Sequence, residues 1–158
     1  MRWYVLQTKP KQEHIAIINL EDQGFQTFLP IYKRRRKGKW LVGPLFPGYL
    51  FINLNLRDSY WKSVNGTRGV KRIMCMDPES PSPVPTLFME TLMSSEYIED
   101  LEKVFSPGDK LQLTDGPFKG NIGVCEVSSK KRVTLLLSIL GGQHRVTVDL
   151  AKVVMAPG

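Results

Sequence analysis

An apolar and aromatic run at residues 43–54, GPLFPGYLFINL, constrains the fold more than any other stretch of the sequence. Pro44, Pro47 and Gly48 punctuate its first half, and from Tyr49 onward apolar side chains occupy odd and even positions alike. Alternating aromatic and aliphatic residues predict a β-strand. Because such a strand is apolar on both faces, one face can fill a core, while the other needs a second covering layer or a partner protein.

The first hundred residues or so read as alternating strands and helices. The basic run at residues 33–39, with an extended arm on each side, predicts a β-hairpin with a cationic tip. Residues 77–85 contain four prolines and predict a rigid, extended connector. This order of elements favours an α+β domain. The predicted strands cover residues 2–8, 25–29, 49–54 and 70–76, and the predicted helices cover residues 11–23, 57–65 and 86–101.

The C-terminal third predicts short strands only. Turn sequences rich in Gly, Pro and Ser separate these strands. About fifty residues of closely spaced strands favour a small β-barrel. The predicted strands cover residues 110–113, 123–127, 132–140 and 145–149. We therefore predict an N-terminal domain over residues 1–97, a linker over residues 98–105 and a second domain over residues 106–158.

The net charge of +7 is unevenly distributed along the chain. Residues 1–96 contain fourteen Lys/Arg and eight Asp/Glu, whereas residues 97–104 contain one Lys and three acids. Six of the seven residues at positions 33–39 are cations. A basic N-terminal unit favours an anionic partner, with nucleic acid as the leading candidate. A generic solubilising charge is the alternative, and the clustering of the cations weakens it.

The sequence lacks the signatures of several protein classes. Cys75 and Cys125 are far apart, and His14 and His144 lack metal-ligand spacing, so we predict no disulfide, metal or cofactor. The apolar runs are far shorter than the ~20 residues of a membrane span, and the N-terminus turns polar too early for a signal peptide. Neither a nucleophile–base set nor a phosphate-binding loop is recognisable. We therefore predict a cytoplasmic monomer that is not an enzyme and does not contact a membrane.

A loop motif marks the predicted barrel. Residues 106–127, SPGDKLQLTDGPFKGNIGVCEV, resemble the KOW motif of NusG-type transcription factors and some ribosomal proteins. Glycines permit positive φ in a tight loop, a proline fixes its neighbour, and an aromatic residue can close the open end of a small barrel. The residues that carry this resemblance are Gly108, Asp109, Val124 and the loop residues Asp115, Gly116, Pro117, Phe118, Gly120 and Gly123.

Three ordered N-terminal segments extend the resemblance over nearly the whole chain. WYVLQTKPKQE, PLFPGYLFI and NGTRGV are similar in order and spacing to the N-terminal (NGN) domain of the NusG family. The resemblance implies an α+β NGN domain, with an antiparallel sheet flanked by helices, plus a small SH3-like all-β KOW barrel. It implies a bacterial transcription elongation and antitermination factor that binds RNA polymerase and suppresses pausing. The PLFPGYLF segment and the proline-rich connector resemble specialised RfaH-like paralogues, with a general NusG as the alternative.

The resemblance also implies a site for the clamp helices of the polymerase large subunit. Aromatic anchors at interface centres often contribute at least ~2 kcal/mol each, and an exposed aromatic patch needs a covering partner. We expect Leu50 and Ile52 in the core, and the alternative for Phe46 and Phe51 is that they too belong to the core. The matching positions are Pro44, Leu45, Phe46, Tyr49 and Phe51, with Ile73 nearby.

A nucleic-acid site is implied as well. Lys9, Thr67 and Arg68 match positions where RfaH-like proteins approach the exposed non-template DNA strand, and Gln23 agrees with one of their DNA-reading positions. Asp22 would repel phosphate, so the DNA sequence that RfaH reads is not expected to carry over. The basic hairpin supplies affinity that weakens with salt, and a solvated hairpin without a partner is the alternative. The predicted contacts are Lys9, Gln23, Lys33, Arg34, Arg35, Arg36, Lys37, Lys39, Thr67, Arg68, Lys71 and Arg72.

In the C-terminal unit, the resemblance implies a ribosome contact. Ile139, Leu140 and Gly141 match the NusG segment that binds a small-subunit ribosomal protein or the termination factor Rho. Leu140 and Gly142 stand where the family usually has Phe and Arg, which argues against Rho. A ribosome-associated, RNA-binding KOW protein is the alternative function, but it leaves the PLFPGYLF segment unexplained.

The same unit raises a question of conformation. In RfaH it can fold as an α-hairpin that hides the polymerase-binding patch and can refold as a barrel. Residues 133–140, VTLLLSIL, offer a strand face and a helix face equally well. Two serines within residues 127–131 make a poor helix interior. We therefore predict a permanent barrel, with the α-hairpin as the alternative.

Overall fold

The computed structural model describes residues 1–75, 80–94, 97–100, 110–112, 122–124 and 129–141. Its helices are α1 (Glu13–Asp22), α2 (Thr86–Ser94) and α3 (Ser129–Leu140), and a 3-10 helix spans Ser59–Gly66. Its strands are β1 (Arg2–Thr8), β2 (Gln26–Phe28), β3 (Ile31–Arg36), β4 (Lys39–Pro44), β5 (Tyr49–Leu54), β6 (Val70–Ile73), β7 (Tyr97–Asp100), β8 (Lys110–Gln112) and β9 (Ile122–Val124). The predicted α+β N-terminal domain is confirmed.

Four strands of this domain form an antiparallel sheet in the order β2-β5-β1-β6. β1 and β5 lie at its centre, and their register runs from Arg2 opposite Leu54 to Gln7 opposite Tyr49. Both strands carry apolar residues on both faces, as strands covered from two sides do. The strand predicted from the apolar run at residues 49–54 is therefore a central strand of the fold.

The two faces of β5 fill two different cores. Leu50 and Ile52 pack with Leu20 of α1 in one apolar cluster, which confirms their predicted core position. Phe51 points the other way and packs in a second cluster with Phe88 of α2 and with residues of α3. All three β5 side chains are fully buried. Because burying a large apolar side chain stabilises a fold by about 1.5–3 kcal/mol, β5 contributes to the stability of both layers.

The predicted basic hairpin is confirmed as β3 and β4. Arg36 pairs with Lys39, which leaves a two-residue turn of Lys37 and Gly38. Both turn residues have positive φ, 52° and 73°, as the tightest hairpin turns require. β7 pairs with the other edge of β3 in parallel, so this second sheet has the order β4-β3-β7. The hairpin therefore belongs to a second sheet, separate from the β2-β5-β1-β6 sheet.

The strand predicted over residues 132–140 is wrong, because this segment lies in helix α3. Its apolar residues satisfy both periodicities, so the packing partner decides between them. As a helix, the segment turns Leu136 and Ile139 to one side, where they are buried in the second cluster. The hydroxyls of Thr134 and Ser138 donate to carbonyls four residues back, at 2.9 and 3.0 Å, so these polar residues are satisfied within the helix.

The helix predicted over residues 86–101 is wrong in its last part. α2 ends at Ser94, and Tyr97–Asp100 forms strand β7. Serine at positions 94 and 95 is a poor helix former. The backbone of β7 pairs with β3, so tertiary hydrogen bonding outweighs the rough helical periodicity of the sequence.

The second predicted domain is described in part. β8 and β9 pair antiparallel and confirm two of its predicted strands. Gly123 and Val124 lie in β9, whereas Gly108, Asp109, the strand predicted at residues 145–149 and most of the KOW loop lie outside the described residues. The loop residues concerned are Asp115, Gly116, Pro117, Phe118 and Gly120. The domain limits at residues 97 and 106 stay a prediction.

Gly69 allows the turn before β6 to lie directly against α1. Its φ is +89°, and a Cβ at this position would lie 2.7 Å from the backbone N of Ala16 and 3.0 Å from its Cα. Ala16 is fully buried. Lys9 N also donates to Gly69 O at 2.9 Å, so the same glycine connects the turn to the end of β1. A side chain at this position has to move helix backbone.

We expect Gly69→Ala to destabilise the protein more than Gly24→Ala does. Gly24 has nearly the same φ, +93°, but open space around its Cβ position. It therefore isolates the backbone cost, which is about 1–2 kcal/mol. Gly69→Ala adds a backbone clash and should lose about 3 kcal/mol or more. The free energies of unfolding in urea measure the difference, and equal losses for the two variants would contradict this packing.

Candidate functional site

The turn between β4 and β5 folds two apolar residues over the second cluster. Leu45 N donates to Pro30 O at 2.9 Å, and Tyr49 N donates to Phe46 O at 3.0 Å, so both ends of the turn are fixed. Gly48 has φ +86°, a backbone that permits this reversal. Leu45 and Phe46 are fully buried as a result.

Phe51 is the centre of an aromatic group around this turn. Its ring centroid lies 6.2 Å from that of Phe46, 6.3 Å from that of Phe28 and 6.2 Å from that of Phe88. The planes are tilted or edge-on, which is the geometry that aromatic pairs prefer. We call the surface formed by the turn and the start of β5 the aromatic face, and its residues are Leu45, Phe46, Tyr49 and Phe51.

Helix α3 covers the aromatic face. Leu136, Ile139 and Leu140 are buried in the same cluster as Phe46 and Phe51. The covering layer that the sequence required for the second face of β5 therefore includes a C-terminal element of the same chain.

Arg132 connects the first turn of α3 to this face. Its Nε donates to the carbonyl O of Leu45 at 2.8 Å, and its residue surface is only 4% exposed. The guanidinium lies 4.3 Å from the ring centroid of Tyr32, which is also buried. This distance fits a cation–π interaction. A buried cation requires such partners because its desolvation costs several kcal/mol.

Sequence reasoning missed Arg132 and Tyr32. The available signal was spacing, because Arg132, Leu136 and Ile139 follow one another at intervals of four and three residues, which is one helix face. An arginine is seldom fully buried, so its place in this pattern does not by itself indicate a core position. The folded chain supplies the ring and the carbonyl that make the position tolerable.

The aromatic face contains four of the six residues predicted to bind polymerase, and Pro44 directly precedes it at the end of β4. The sixth, Ile73, lies apart from them. It is buried in the other cluster, together with Leu6 of β1 and residues of α1. The structure therefore groups the predicted residues of the turn and of β5 but not Ile73.

Lys9 and Arg68 come together at one end of the sheet. The hydrogen bond from Lys9 N to Gly69 O joins the end of β1 to the turn that contains Arg68. Lys71 and Arg72 follow on β6, and all four cations are exposed. Exposed Lys and Arg side chains at a sheet end can contact phosphates. This group is a candidate nucleic-acid contact.

Gln23 and Thr67 bond to each other within the fold. Gln23 Nε2 donates to Thr67 Oγ1 at 2.7 Å, and Ser63 Oγ donates to Gln23 Oε1 at 2.8 Å. Thr67 Oγ1 donates in turn to Ser63 O at 3.0 Å, and Thr67 is only 7% exposed. Tyr60 OH donates to Gln23 O at 3.1 Å. This network holds the 3-10 helix and the Arg68 turn against the end of α1.

The remaining predicted cations belong to the hairpin. It begins just after edge strand β2, whereas the Arg68 turn precedes β6 at the opposite edge of the sheet. Lys37 and Lys39 near its tip are exposed, and Lys33, Arg34 and Arg35 are half-buried. Arg36 is the last residue of β3. The predicted cations thus form two separate groups. Gln23 and Thr67 belong to neither, because they bond to each other within the fold.

The residues predicted to contact the ribosome lie at the end of α3. Ile139 and Leu140 are buried. Gly141 N donates to the carbonyls of Leu137 and Ser138, at 3.2 and 3.1 Å, where the helix ends. Two of the three predicted ribosome contacts are therefore inaccessible while α3 lies on the aromatic face.

The described part of the chain holds neither a metal-binding cluster nor a helix that could cross a membrane. There, no three His, Cys, Asp or Glu residues lie close enough together to hold a metal ion. Among the helices in those ranges, none combines the length and apolarity that crossing a membrane takes.

Comparison with protein families gives a direct match. The family model described as "Transcription termination factor nusG" matches residues 1–93, which is more than half of the 158-residue chain. The chain belongs to the NusG family. The predicted family is thereby confirmed, and the matched part contains the aromatic face and both cationic groups.

Relatives agree with this NusG assignment, and a solved structure shares the fold. A Thermus thermophilus protein named "Transcription termination/antitermination protein NusG" is 30% identical, with 99% of each chain covered. The Escherichia coli K12 protein of the same name is 26% identical, over 96% of this chain and 94% of that protein. A structure titled "Domain interaction in Thermotoga maritima NusG" shares the fold, with 24% identity, a TM-score of 0.50, and 78% of this chain and 77% of that chain covered.

We expect Arg132→Ala to loosen α3 on the aromatic face of this NusG-family protein. The variant removes the cation–π contact and leaves the buried Leu45 carbonyl without its donor. Hydrogen bonds to charged groups contribute about 1.5–3 kcal/mol, so α3 amides should exchange with solvent about tenfold faster or more. Hydrogen–deuterium exchange of residues 133–140 measures this.

Lys130→Ala is the matched control for this prediction. Lys130 lies two residues earlier on the same helix and is exposed, so the variant also removes one cation but no buried contact. Wild-type exchange is expected for it. Equal exchange rates in wild type, Lys130→Ala and Arg132→Ala would contradict an anchoring role for Arg132.

Proposed function

We propose that this protein is a bacterial transcription elongation and antitermination factor that binds the clamp helices of RNA polymerase through its aromatic face. It contacts exposed DNA, suppresses pausing and has no catalytic activity of its own. Membership of the NusG family and the names of the relatives support the general role. The observation that carries the proposed site is an aromatic face whose cover comes from helix α3 of the same chain. We propose the cytoplasm as its location and a monomer as its state.

The proposed polymerase contact requires α3 to move. Leu45, Phe46 and Phe51 are fully buried, so a partner cannot reach them while α3 is in place. α3 and the polymerase therefore compete for one surface, and a ligand that binds only the open state shifts the population toward it. A helical C-terminal element on this face supports an RfaH-like paralogue over a general NusG.

Movement of α3 also controls access to the proposed ribosome-binding residues. Ile139 and Leu140 become accessible only when α3 leaves the aromatic face. We therefore propose that ribosome recruitment through Ile139, Leu140 and Gly141 follows polymerase binding. The same residues serve two purposes in sequence, first as cover and then as contact.

The nucleic-acid contacts divide into direct and positioning roles. Lys9, Arg68, Lys71 and Arg72 are exposed and suit phosphate contacts. Thr67 is buried and its hydroxyl is engaged with Gln23 and Ser63, so we assign it and Gln23 to holding the Arg68 turn. The hairpin supplies the second, sequence-independent contact to the exposed DNA strand.

We expect Tyr49→Ala and Arg132→Ala to change polymerase binding in opposite directions. Tyr49 is a half-buried member of the aromatic face, so its loss removes an anchor at a cost to binding of about 2 kcal/mol or more. Arg132→Ala favours the open state and should strengthen binding. Pulldown of core RNA polymerase with the full-length variants measures both effects.

Leu87→Ala is the control, because Leu87 is an exposed leucine on α2 outside this face. It should bind like wild type, and urea unfolding checks that Tyr49→Ala remains folded. Undiminished polymerase binding by folded Tyr49→Ala rejects the site. Capture of ribosomal subunits without polymerase favours the ribosome-associated alternative instead.

We expect the salt dependence of DNA binding to report the cationic contacts. Each phosphate contact contributes about 0.7 to the slope of log affinity against log salt for a single strand. Arg68→Ala and Lys37→Ala should each reduce the slope by roughly that amount. Lys62→Ala, which removes an exposed cation of the 3-10 helix, should leave the slope unchanged. Equal slopes for all three variants would contradict the assignment of these two groups.

A further inference from the structure

A half-exposed indole lies among the cations of the hairpin. Trp40 is 51% exposed, and the next two residues, Leu41 and Val42, are 54% and 60% exposed. Trp40 is in neither apolar cluster of the described residues, whereas Trp3 and Trp61 each pack against one. A ring outside the core adds little to stability by burial. Its position calls for another explanation.

The hairpin restrains the orientation of this ring. Trp40 lies opposite Arg35 in the β3–β4 register, and the Arg35 guanidinium is 5.8 Å from the ring centroid. That distance is within the range of cation–π interactions. The tight turn of Lys37 and Gly38 fixes the strand register. About half of the tryptophan surface nevertheless stays open to solvent.

The charge around the ring selects the kind of partner. Residues 31–44, which form the whole hairpin, contain six Lys/Arg and no Asp/Glu. An apolar protein surface would desolvate these cations without pairing them. Single-stranded nucleic acid offers phosphates for the cations and base rings for an aromatic side chain. In a duplex the base faces are already occupied by stacking, so an unpaired strand fits this surface better.

We propose that Trp40 is a stacking platform for an unpaired base of single-stranded DNA. Arg35 orients the indole, and Lys37 and Lys39 contact the neighbouring phosphates. The inference rests on the proposed function, in which the hairpin meets the DNA strand that polymerase exposes. Beyond the proposed function, it names Trp40 as the residue that touches a base and stacking as the chemistry of that contact. Because every base has a π-face, the contact tolerates any sequence.

The test measures the binding of a fluorescent single-stranded DNA oligonucleotide to the full-length chain over a range of salt concentrations. Trp40→Ala should weaken binding about five- to 150-fold, the equivalent of ~1–3 kcal/mol for one stacked base. Stacking releases no counterions, so the slope of log affinity against log salt should not change. Lys39→Ala should instead lower that slope by about 0.7.

Two variants and a second substrate serve as controls. Leu41→Ala removes an exposed apolar side chain from the opposite face of β4 and should bind like wild type. Trp40→Phe keeps an aromatic ring and should retain most of the affinity. Against duplex DNA of the same sequence, Trp40→Ala should have little effect, because no unpaired base is offered.

The outcomes separate this inference from the proposed function. Equal affinity of wild type and Trp40→Ala, with the salt slope intact, overturns the stacking role and leaves the cationic contacts standing. A wild-type chain without salt-dependent binding overturns both. An equal loss on duplex DNA, or tighter binding of RNA of the same sequence, overturns single-stranded DNA as the partner. Loss of polymerase binding by Trp40→Ala with unchanged DNA binding means that the ring docks on protein, which also overturns the inference.

Discussion

Burial of Phe51 between two layers is the constraint on which the rest of the structure depends. β5 is apolar on both faces, and α1 covers only the face that carries Leu50 and Ile52. The face that carries Phe51 needs α2 and α3. Removing α3 from this stack exposes aromatic surface that water does not solvate well. The aromatic face therefore needs a covering layer, which α2 and α3 provide in this structure.

Much of the N-terminal domain could be predicted because its signals are local. The alternation from Tyr49 onward defines a central strand, and the basic run between two extended arms defines a hairpin with a tight turn at Lys37 and Gly38. Helix α3 could not be predicted in the same way. Its sequence fits a strand and a helix equally well, and the decision comes from a surface about ninety residues earlier in the chain.

In the candidate site as well, some features follow from local sequence signals and others only from contacts made in the fold. The family resemblance implies a nucleic-acid surface at Arg68 and Thr67 as an expectation only, and the fold places the two residues differently. Arg68 is exposed, whereas Thr67 is engaged with Gln23 and Ser63. Arg132 and Tyr32 are separated by a hundred residues, so no local pattern joins them before the chain folds. Hydrogen-bond satisfaction is a property of three-dimensional neighbours, which spacing alone does not supply.

The competition proposed for the aromatic face sets limits on what a partner must provide. Leu136, Ile139 and Leu140 each contribute at most about 1.5–3 kcal/mol by burial, because unfolded chains already bury part of their apolar surface. Because α3 is covalently attached to the face that it covers, a competing partner acts against an intramolecular contact. A partner therefore binds with its intrinsic affinity reduced by the fraction of open molecules. Arg132 loses water on docking, and its hydrogen bond to the Leu45 carbonyl and its contact with the Tyr32 ring offset that cost. A partner that displaces α3 must therefore outweigh these two contacts of Arg132 as well as the apolar burial of the helix.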